Sequence, residues 1–358
     1  MVFSMKALNV GIFGYGGMAG IHVDKVLKFY DRANVKGIYD IDPARIEAAK
    51  ANGWNTYSSA EELLSDSEID MVVVATTNDA HKELCIRALE SGKHVLCEKP
   101  VTVTSKDFLD ICEVAEKCGK VFTGMQNRRT NRDFVNVKRA IEKGMIGDVY
   151  HIESRVEGSR GLPAGWRTQK EKGGGMMLDW GVHIIDQILY MIDERVSDVY
   201  CKMYSVHYDE VDDNFRLMLT FQSGLTALLE VSTNNYISHP RWYVLGSDGT
   251  LQIDGWEATG KVVNPIDRED SWGVTIASNK VGPSKTMAPR SEDSIKVTEL
   301  ECPDDVTDDL TVVYDQFIDA VEGKAELTIT PAQVLRVIKV MEAAFESARS
   351  GMAIKTDI

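Results

Sequence analysis

Continuous apolar runs alternate with amphipathic stretches through the first third of the chain. Ala7–Phe13 reads as a strand and Gly17–Tyr30 as the helix after it. Val35–Asp40 is a second strand, and Pro43–Ala51 is a helix with proline near its start. Ser58 and Glu61 stand at the S-x-x-E spacing that predicts a capping box ahead of another short helix. Met71–Ala75 is apolar throughout, the pattern of a strand buried on both faces. A helix at Asp79–Ser91, a strand at His94–Leu96, a helix at Thr104–Cys118 and a strand at Val121–Gly124 continue the alternation. Strand and helix in turn predict a parallel sheet covered by helices.

The pattern then changes. Val149–Glu157, Val199–Tyr208, Asn214–Phe221, Leu225–Ser232, Trp242–Leu245 and Thr250–Asp254 read as strands joined by turns such as Gln222-Ser223-Gly224 and Ser247-Asp248-Gly249. Phe215, Leu217, Leu219 and Phe221 alternate with Arg216, Met218 and Thr220, a period of two with one apolar face. This predicts an antiparallel or mixed sheet. Helices are expected near Asp133–Lys143 and Met176–Ile192. The proline-containing stretch Asn264–Asp305 reads as an irregular surface excursion available to a subunit contact. Two helices close the chain, the last starting at Thr330-Pro331-Ala332-Gln333 with an N-cap, an N1 proline and a glutamine at the third position. The fold class is therefore α/β, with a parallel-sheet domain over residues 1–125 and a second domain with an antiparallel or mixed sheet over 126–358.

Composition narrows the function. The chain has 358 residues, 44% of them hydrophobic and 27% charged, which permits a full core. A net charge of −15 argues against nucleic acid or an anionic membrane as a partner. The six cysteines form no CxxC pair and no zinc spacing, which fits reduced thiols in the cytoplasm. The opening MVFSMKALNVGIFGYGG has no signal-peptide cleavage pattern, and no run of ~18 apolar residues suggests a membrane span.

Gly14-Tyr15-Gly16-Gly17-Met18-Ala19 lies between the first strand and the first helix and has the GxGxxA form. The first glycine permits the tight turn, the second the approach of a pyrophosphate, and the small third residue close helix packing. The following helix N-terminus faces the phosphates. Asp40 ends the second strand, where a carboxylate can bind ribose hydroxyls and repel a 2′-phosphate, favouring NAD over NADP. Arg45 nearby works against that preference.

Lys99 follows the strand His94–Leu96, at the carboxyl edge where an open α/β sheet places ligands. Asp179 and His183 are i and i+4 on an expected helix, hence on one face. A histidine suits removal of a hydroxyl proton, and a lysine beside the same oxygen would stabilise alkoxide and keep the histidine neutral. Asp179 would orient substrate or imidazole. A core histidine satisfied by an aspartate is the plain structural alternative. A metal held by His183, Asp179 and Asp186 is another, unsupported by any further histidine. Asp186 reads as structural.

Taken together, Ala75-Thr76-Thr77-Asn78 with His81, the run Ser91 to Pro100 ending Glu98-Lys99-Pro100, and Gly173-Gly174-Gly175…Asp179…His183 resemble the glucose–fructose oxidoreductase, inositol dehydrogenase and rhizopine catabolism (Gfo/Idh/MocA) family over nearly the whole chain. The resemblance implies an N-terminal Rossmann dinucleotide-binding domain followed by an α/β domain with a large, mostly antiparallel sheet whose open face commonly forms homo-oligomers. It implies Lys99, Asp179 and His183 as catalytic residues and Thr77, Asn78, His81, Glu98, Lys99 and Gln126 as cofactor-lining, beside Gly14, Tyr15, Gly16, Gly17 and Met18 of the glycine turn and Asp40 and Arg45 beyond it. Thr77 replaces the family's usual proline. Trp166 and Arg167, in the loop before the glycine run, are candidates for stacking on a sugar and binding its hydroxyls, and Asn127, Arg128 and Arg129 could add polar contacts. The expected substrate is a sugar, glycoside or cyclitol. Reduction of a keto-sugar, a redox glycosidase that retains NAD, and a non-catalytic NAD sensor are the competing readings.

Overall fold

The computed structural model describes residues 7–268, 277–279, 282–284, 290–306 and 309–358. Five strands, β1 (Leu8–Phe13), β2 (Ala33–Tyr39), β3 (Met71–Val74), β4 (His94–Cys97) and β5 (Phe122–Gly124), form a sheet in the order β2-β1-β3-β4-β5. Every neighbouring pair is parallel. All four residues of β3 are buried, as a strand covered by helices on both sides requires. Those helices are α1 (Gly17–Gly20), α2 (Pro43–Ala51), α3 (Ala60–Ser65), α4 (His81–Glu90) and α5 (Ser105–Cys118). The chain leaves β1 toward β2 on one side and returns to β3 on the other. The crevice at the carboxyl ends of β1 and β3 is the place such sheets bind ligands.

The second half adds α6 (Arg132–Glu142), β6 (Val149–Glu157), α7 (Val182–Met191), β7 (Val196–Tyr204), β8 (Asn214–Phe221), β9 (Thr226–Ser232), β10 (Trp242–Gly246), β11 (Gly249–Ile253) and β12 (Gly260–Pro265). A small hairpin of β13 (Ala277–Asn279) and β14 (Gly282–Ser284) precedes β15 (Ile295–Leu300), and α8 (Thr311–Val321), α9 (Pro331–Ser350) and β16 (Ile354–Lys355) end the chain. Nine strands make one sheet in the order β15-β12-β11-β10-β6-β9-β8-β7-β16. Only β6 and β9 pair in parallel. Phe215, Leu217, Leu219 and Phe221 are buried while Arg216 faces out, the predicted period-two division of β8. On the buried face α6 packs through Phe134 on Trp242, whose indole N–H donates to Asp133 at 2.8 Å. Helix α9 lies between α5 and β5 on one side and α7 and β7 on the other, joining the two halves. Its capping box is complete: Thr330 Oγ1 accepts from Gln333 N–H, and Gln333 Oε1 accepts from Thr330 N–H.

Several elements depart from the sequence expectations. The helix expected over Gly17–Tyr30 is a short α turn followed by a π segment, Ile21–Val26, and a 3-10 turn, Leu27–Phe29. The cap before α3 is one residue later than expected. Ser59 accepts from Glu62 N–H, and the Glu62 carboxylate reaches back to Ser58. The strand expected at Val199–Tyr208 starts at Val196 and ends at Tyr204, because the Asp213 carboxylate accepts the N–H groups of Val206 and His207 and turns the chain. Asn264–Asp305 is not wholly irregular, since β12 and β15 extend the large sheet at its edge. Residues 269–276, 280–281 and 285–289 of that stretch lie outside the described residues.

Candidate active site

The glycine turn is built for close approach. Gly14 has φ +94°, and a Cβ on it would stand 2.5 Å from the Ala75 carbonyl, so the ends of β1 and β3 meet only with glycine there. A Cβ on Gly17 would meet nothing within 4 Å, which leaves the outer side of the turn open for a pyrophosphate. Ala19 is fully buried, as the third small residue of the motif should be. Asp40 Oδ2 accepts from Tyr15 N–H at 2.7 Å, and its Oδ1 accepts from Asp42 N–H at 2.8 Å. A carboxylate has further lone pairs, so Asp40 keeps capacity for ribose hydroxyls. Arg45 reaches Asp40 at 3.4 Å from beside Gly16. The Tyr15 phenol, expected at the cofactor, is tied instead to Asp24 and Asn52 within the same domain. The donors, the open turn and the carboxylate fit a dinucleotide.

At the end of β4, Glu98 accepts from the Lys99 backbone N–H at 3.1 Å and lies 2.8 Å from His22 Nε2. With Nε2–H donating to Glu98, His22 Nδ1 accepts from the Tyr314 hydroxyl at 2.7 Å. Burial pushes the Glu98 carboxyl up, but His22 and Lys99 outweigh it and hold its pKa below the ordinary value. This buried relay anchors the turn that carries Lys99. His22 and Tyr314 were invisible as site residues in the sequence, because nothing local pairs α8 with the π segment.

Lys99 Nζ donates to both Asp179 Oδ1 and the Asp179 carbonyl at 2.7 Å. Arg167 Nε donates to Asp179 Oδ2 at 3.0 Å. Burial raises the Asp179 pKa, and the two cations more than reverse it, so the group is an anion held below its usual range. His183 is buried, and its Nδ1 has no hydrogen-bond partner. Burial, then the charges of Lys99 and Arg128, push its pKa well below the ordinary 6.5. The imidazole is neutral at physiological pH and able to accept a proton.

Asp179 and His183 face one cavity, of about 420 Å³, but they do not bond to each other. The expected α-helical pairing fails because Met177–Gly181 is a π segment that passes into α7 only at Val182. A π turn is wider than an α turn, so four residues no longer complete it. Asp179 therefore orients Lys99 and Arg167, not the imidazole. The segment is set by Gly175 (φ +103°) and by Asp212, whose carboxylate accepts from Met177 N–H at 2.7 Å.

The same cavity collects Met18, Asn78, Glu98, Trp166 and Arg167, together with Thr76, Arg128 and Trp180, which the sequence did not single out as site residues or left as loose polar contacts. Asn78 also donates to the Gly173 carbonyl at 2.8 Å, joining β3 to the glycine run. Arg128 stacks 4.8 Å over Trp180, and Arg167 stacks 4.6 Å over Trp166. Thr77 is not among the lining residues. Gln126 is buried nearby with Oε1 unpartnered. His81 is fully buried, with Nδ1 2.9 Å from the Pro100 carbonyl and Nε2 3.3 Å from that of Thr76, and does not line this cavity. Arg129 departs from the expected polar contact. It forms a buried bidentate pair with Asp186, at 2.6 and 2.8 Å, and stays out of the cavity. Asp186 is structural, as expected. Among the described residues no group of three or more His, Cys, Asp or Glu is arranged to hold a metal ion, and no helix is long and apolar enough to cross a membrane.

Residues 8–125 match the family model described as an oxidoreductase family with an NAD-binding Rossmann fold, and residues 134–252 match that of the GFO/IDH/MocA C-terminal domain. An NAD-binding protein from Listeria innocua of solved structure is 41% identical and superposes with a TM-score of 0.93 over 98% of this chain and 100% of its own. An uncharacterised oxidoreductase of Schizosaccharomyces pombe is 31% identical over 83% of this chain and 84% of its own length. A scyllo-inositol 2-dehydrogenase (NADP(+)) of Bacillus subtilis is 26% identical over 98% of this chain and 96% of its own.

Proposed function

The chain belongs to the GFO/IDH/MocA oxidoreductases, a nicotinamide-dinucleotide-binding family, and from that premise we propose that it is an NAD-dependent dehydrogenase oxidising a secondary hydroxyl of a sugar, glycoside or cyclitol. The observation that carries this reading is a lysine ammonium and a neutral, buried imidazole on one cavity, with the lysine held by Asp179. Bound NAD supplies the hydride acceptor. Lys99 Nζ stabilises the developing alkoxide. His183 takes the hydroxyl proton as the carbon–hydrogen electron pair leaves as hydride and the C–O bond becomes a carbonyl. Asp179 holds the ammonium in place, and Trp166 and Arg167 offer a ring face and hydrogen-bond donors to a polyol.

A neutral His183 imidazole can receive the proton that oxidation of a hydroxyl releases. The Bacillus subtilis relative acts on an inositol, which supports a polyol substrate, although that enzyme is named for NADP. Asp40, a carboxylate just past the end of β2, supports NAD here. The outward face of the large sheet, with Tyr200 and Tyr204 exposed, supports assembly into a homo-oligomer, and six unpaired cysteines support a cytoplasmic setting. The test is a panel of sugars, glycosides and inositols with NAD or NADP, followed by absorbance of the reduced cofactor. Turnover of a polyol with NAD is expected; reduction by none of them would overturn the reading.

A further inference from the structure

A second cavity lies next to the reactive one. It is about 610 Å³ and shares Arg128, Pro163, Asp179 and Trp180 with the first, so the two adjoin along a common wall. Its far side is built from the large sheet and its loops: Val156 and Glu157 at the end of β6, Thr233 just after β9, and Trp256 just after β11. Each volume falls in the ~300–1,000 Å³ range of small-molecule sites. The first chamber must accommodate both the nicotinamide end, at Met18, Thr76 and Glu98, and the carbon that reacts between Lys99 and His183. One substrate ring accounts for it, and the second chamber is left for something else.

The chemistry of that chamber is specific. Trp256 is 47% exposed although it packs against Trp180 with ring centroids 5.7 Å apart. Buried Arg241 stacks 4.8 Å from its centroid and fixes it. A large aromatic held open to a cleft offers a face for the C–H side of a ring. Opposite in character is Thr233. It is 8% exposed, and its Oγ1 is buried without a hydrogen-bond partner. A buried hydroxyl without a partner is a group that a ligand's polar atom can satisfy. Glu157 is held by Asn235 and His239, so the rim on that side is a fixed element of the site.

We propose that the second cavity is a subsite for a ring attached to the reacting sugar through its glycosidic oxygen, with Trp256 stacking on that ring and Thr233 hydrogen-bonding to it, so that the substrate is a two-ring glycoside and not a free monosaccharide. The proposal rests on the dehydrogenase reading above and adds the substrate's size and its second contact. Trp256 and Thr233 are specificity-determining residues here; neither lines the chamber of Lys99 and His183.

The test compares kcat/KM for a monosaccharide, the disaccharides that contain it and its aryl glycoside, in the wild type, Trp256→Ala and Thr233→Val. The wild type should prefer at least one two-ring substrate, and Trp256→Ala should lower the two-ring to one-ring ratio roughly tenfold, the scale of one lost aromatic contact. Thr233→Val, nearly isosteric and buried, should lower the ratio several-fold while keeping the thermal midpoint. A better disaccharide identifies a sugar in the subsite, and a better aryl glycoside a flat aglycone; either supports the proposal. Equal wild-type kcat/KM for one-ring and two-ring substrates, or a ratio unmoved by both variants, overturns the subsite while leaving the dehydrogenase intact. Failure of every sugar and glycoside to reduce the cofactor overturns both.

Discussion

The ammonium of Lys99 is held at 2.7 Å by two oxygens of Asp179, one from the side chain and one from the backbone. One residue from the nucleotide-binding half and one from the glycine-led segment of the second half thus meet at a single charge. The pair holds the lysine on the cavity that His183 also lines. It also explains why the acid of the pair serves the lysine and not the histidine four residues on.

Lys99→Met should lower kcat by roughly a hundredfold or more, the loss typical of removing one charge-stabilising donor. The dissociation constant for NAD should change little if, as proposed, the phosphate and ribose are held at the glycine turn and Asp40. Stopped-flow turnover and NAD titration check the two halves of this statement separately. A variant with full turnover would remove Lys99 from the chemistry.

His183 should titrate well below 6.5 in the free protein, chiefly because it is buried, and Lys99→Met should move its pKa upward by removing a neighbouring positive charge. The sign for stability follows. Below the ordinary histidine value the unfolded chain gains a proton that the native protein refuses, so stability falls as pH drops through that region and is unaffected above it. For turnover, the base stays neutral, and kcat/KM should remain flat as pH is lowered through 6.5. Imidazole NMR and a pH–rate profile measure both; a native-state titration at or above 6.5 would contradict the account.

Asp212 carries the opposite prediction. Burial raises its pKa from the ordinary 3.8 to about 6, despite hydrogen bonds from Met177 and Met176. The unfolded chain therefore loses this proton first as pH rises, and native stability should fall by about 3 kcal/mol between those two values. Asp212→Asn lacks the proton to lose and keeps an acceptor for Met177 N–H. Its thermal midpoint should overtake that of the wild type progressively from pH 4 to 7. Parallel curves would show that Asp212 is not the group responsible.

Cofactor choice should reside in Asp40. The wild type should use NAD at least tenfold better than NADP, and Asp40→Ser should cut that ratio by about tenfold, with Arg45 then free to meet a 2′-phosphate. Steady-state kcat/KM for each cofactor decides it, and a wild type that prefers NADP would reverse the assignment.

How far the sequence carried this picture depends on where each signal resides. The glycine turn, Asp40 and Glu98-Lys99-Pro100 were readable because strand, turn and helix are local and the chemistry sits at their junctions. β15 was not, since Ile295–Leu300 is an edge strand whose Val297 is exposed, and half-exposed residues blur the period of two. The π segments at Ile21–Val26 and Met177–Gly181 leave no mark in apolar spacing, so of the two expected roles of Asp179 the one toward the imidazole is not seen, and its ties to Lys99 and Arg167 were not read. His81 and Arg129 carry chemistry in the sequence, but tertiary contacts with Pro100 and Asp186 consume it. Trp256 and Thr233 reach the cleft only because the sheet returns to it, and no local pattern announces that.

The central claim, hydride removal from a secondary carbinol with proton transfer to His183, is tested most directly by single turnover on a substrate deuterated at the oxidised carbon. The wild type should deliver the deuterium to the nicotinamide with a primary isotope effect on the transfer step. His183→Ala should bind NAD normally and slow that transfer by roughly a hundredfold or more. Undiminished transfer in His183→Ala, or deuterium released to water and absent from the reduced cofactor, would contradict it.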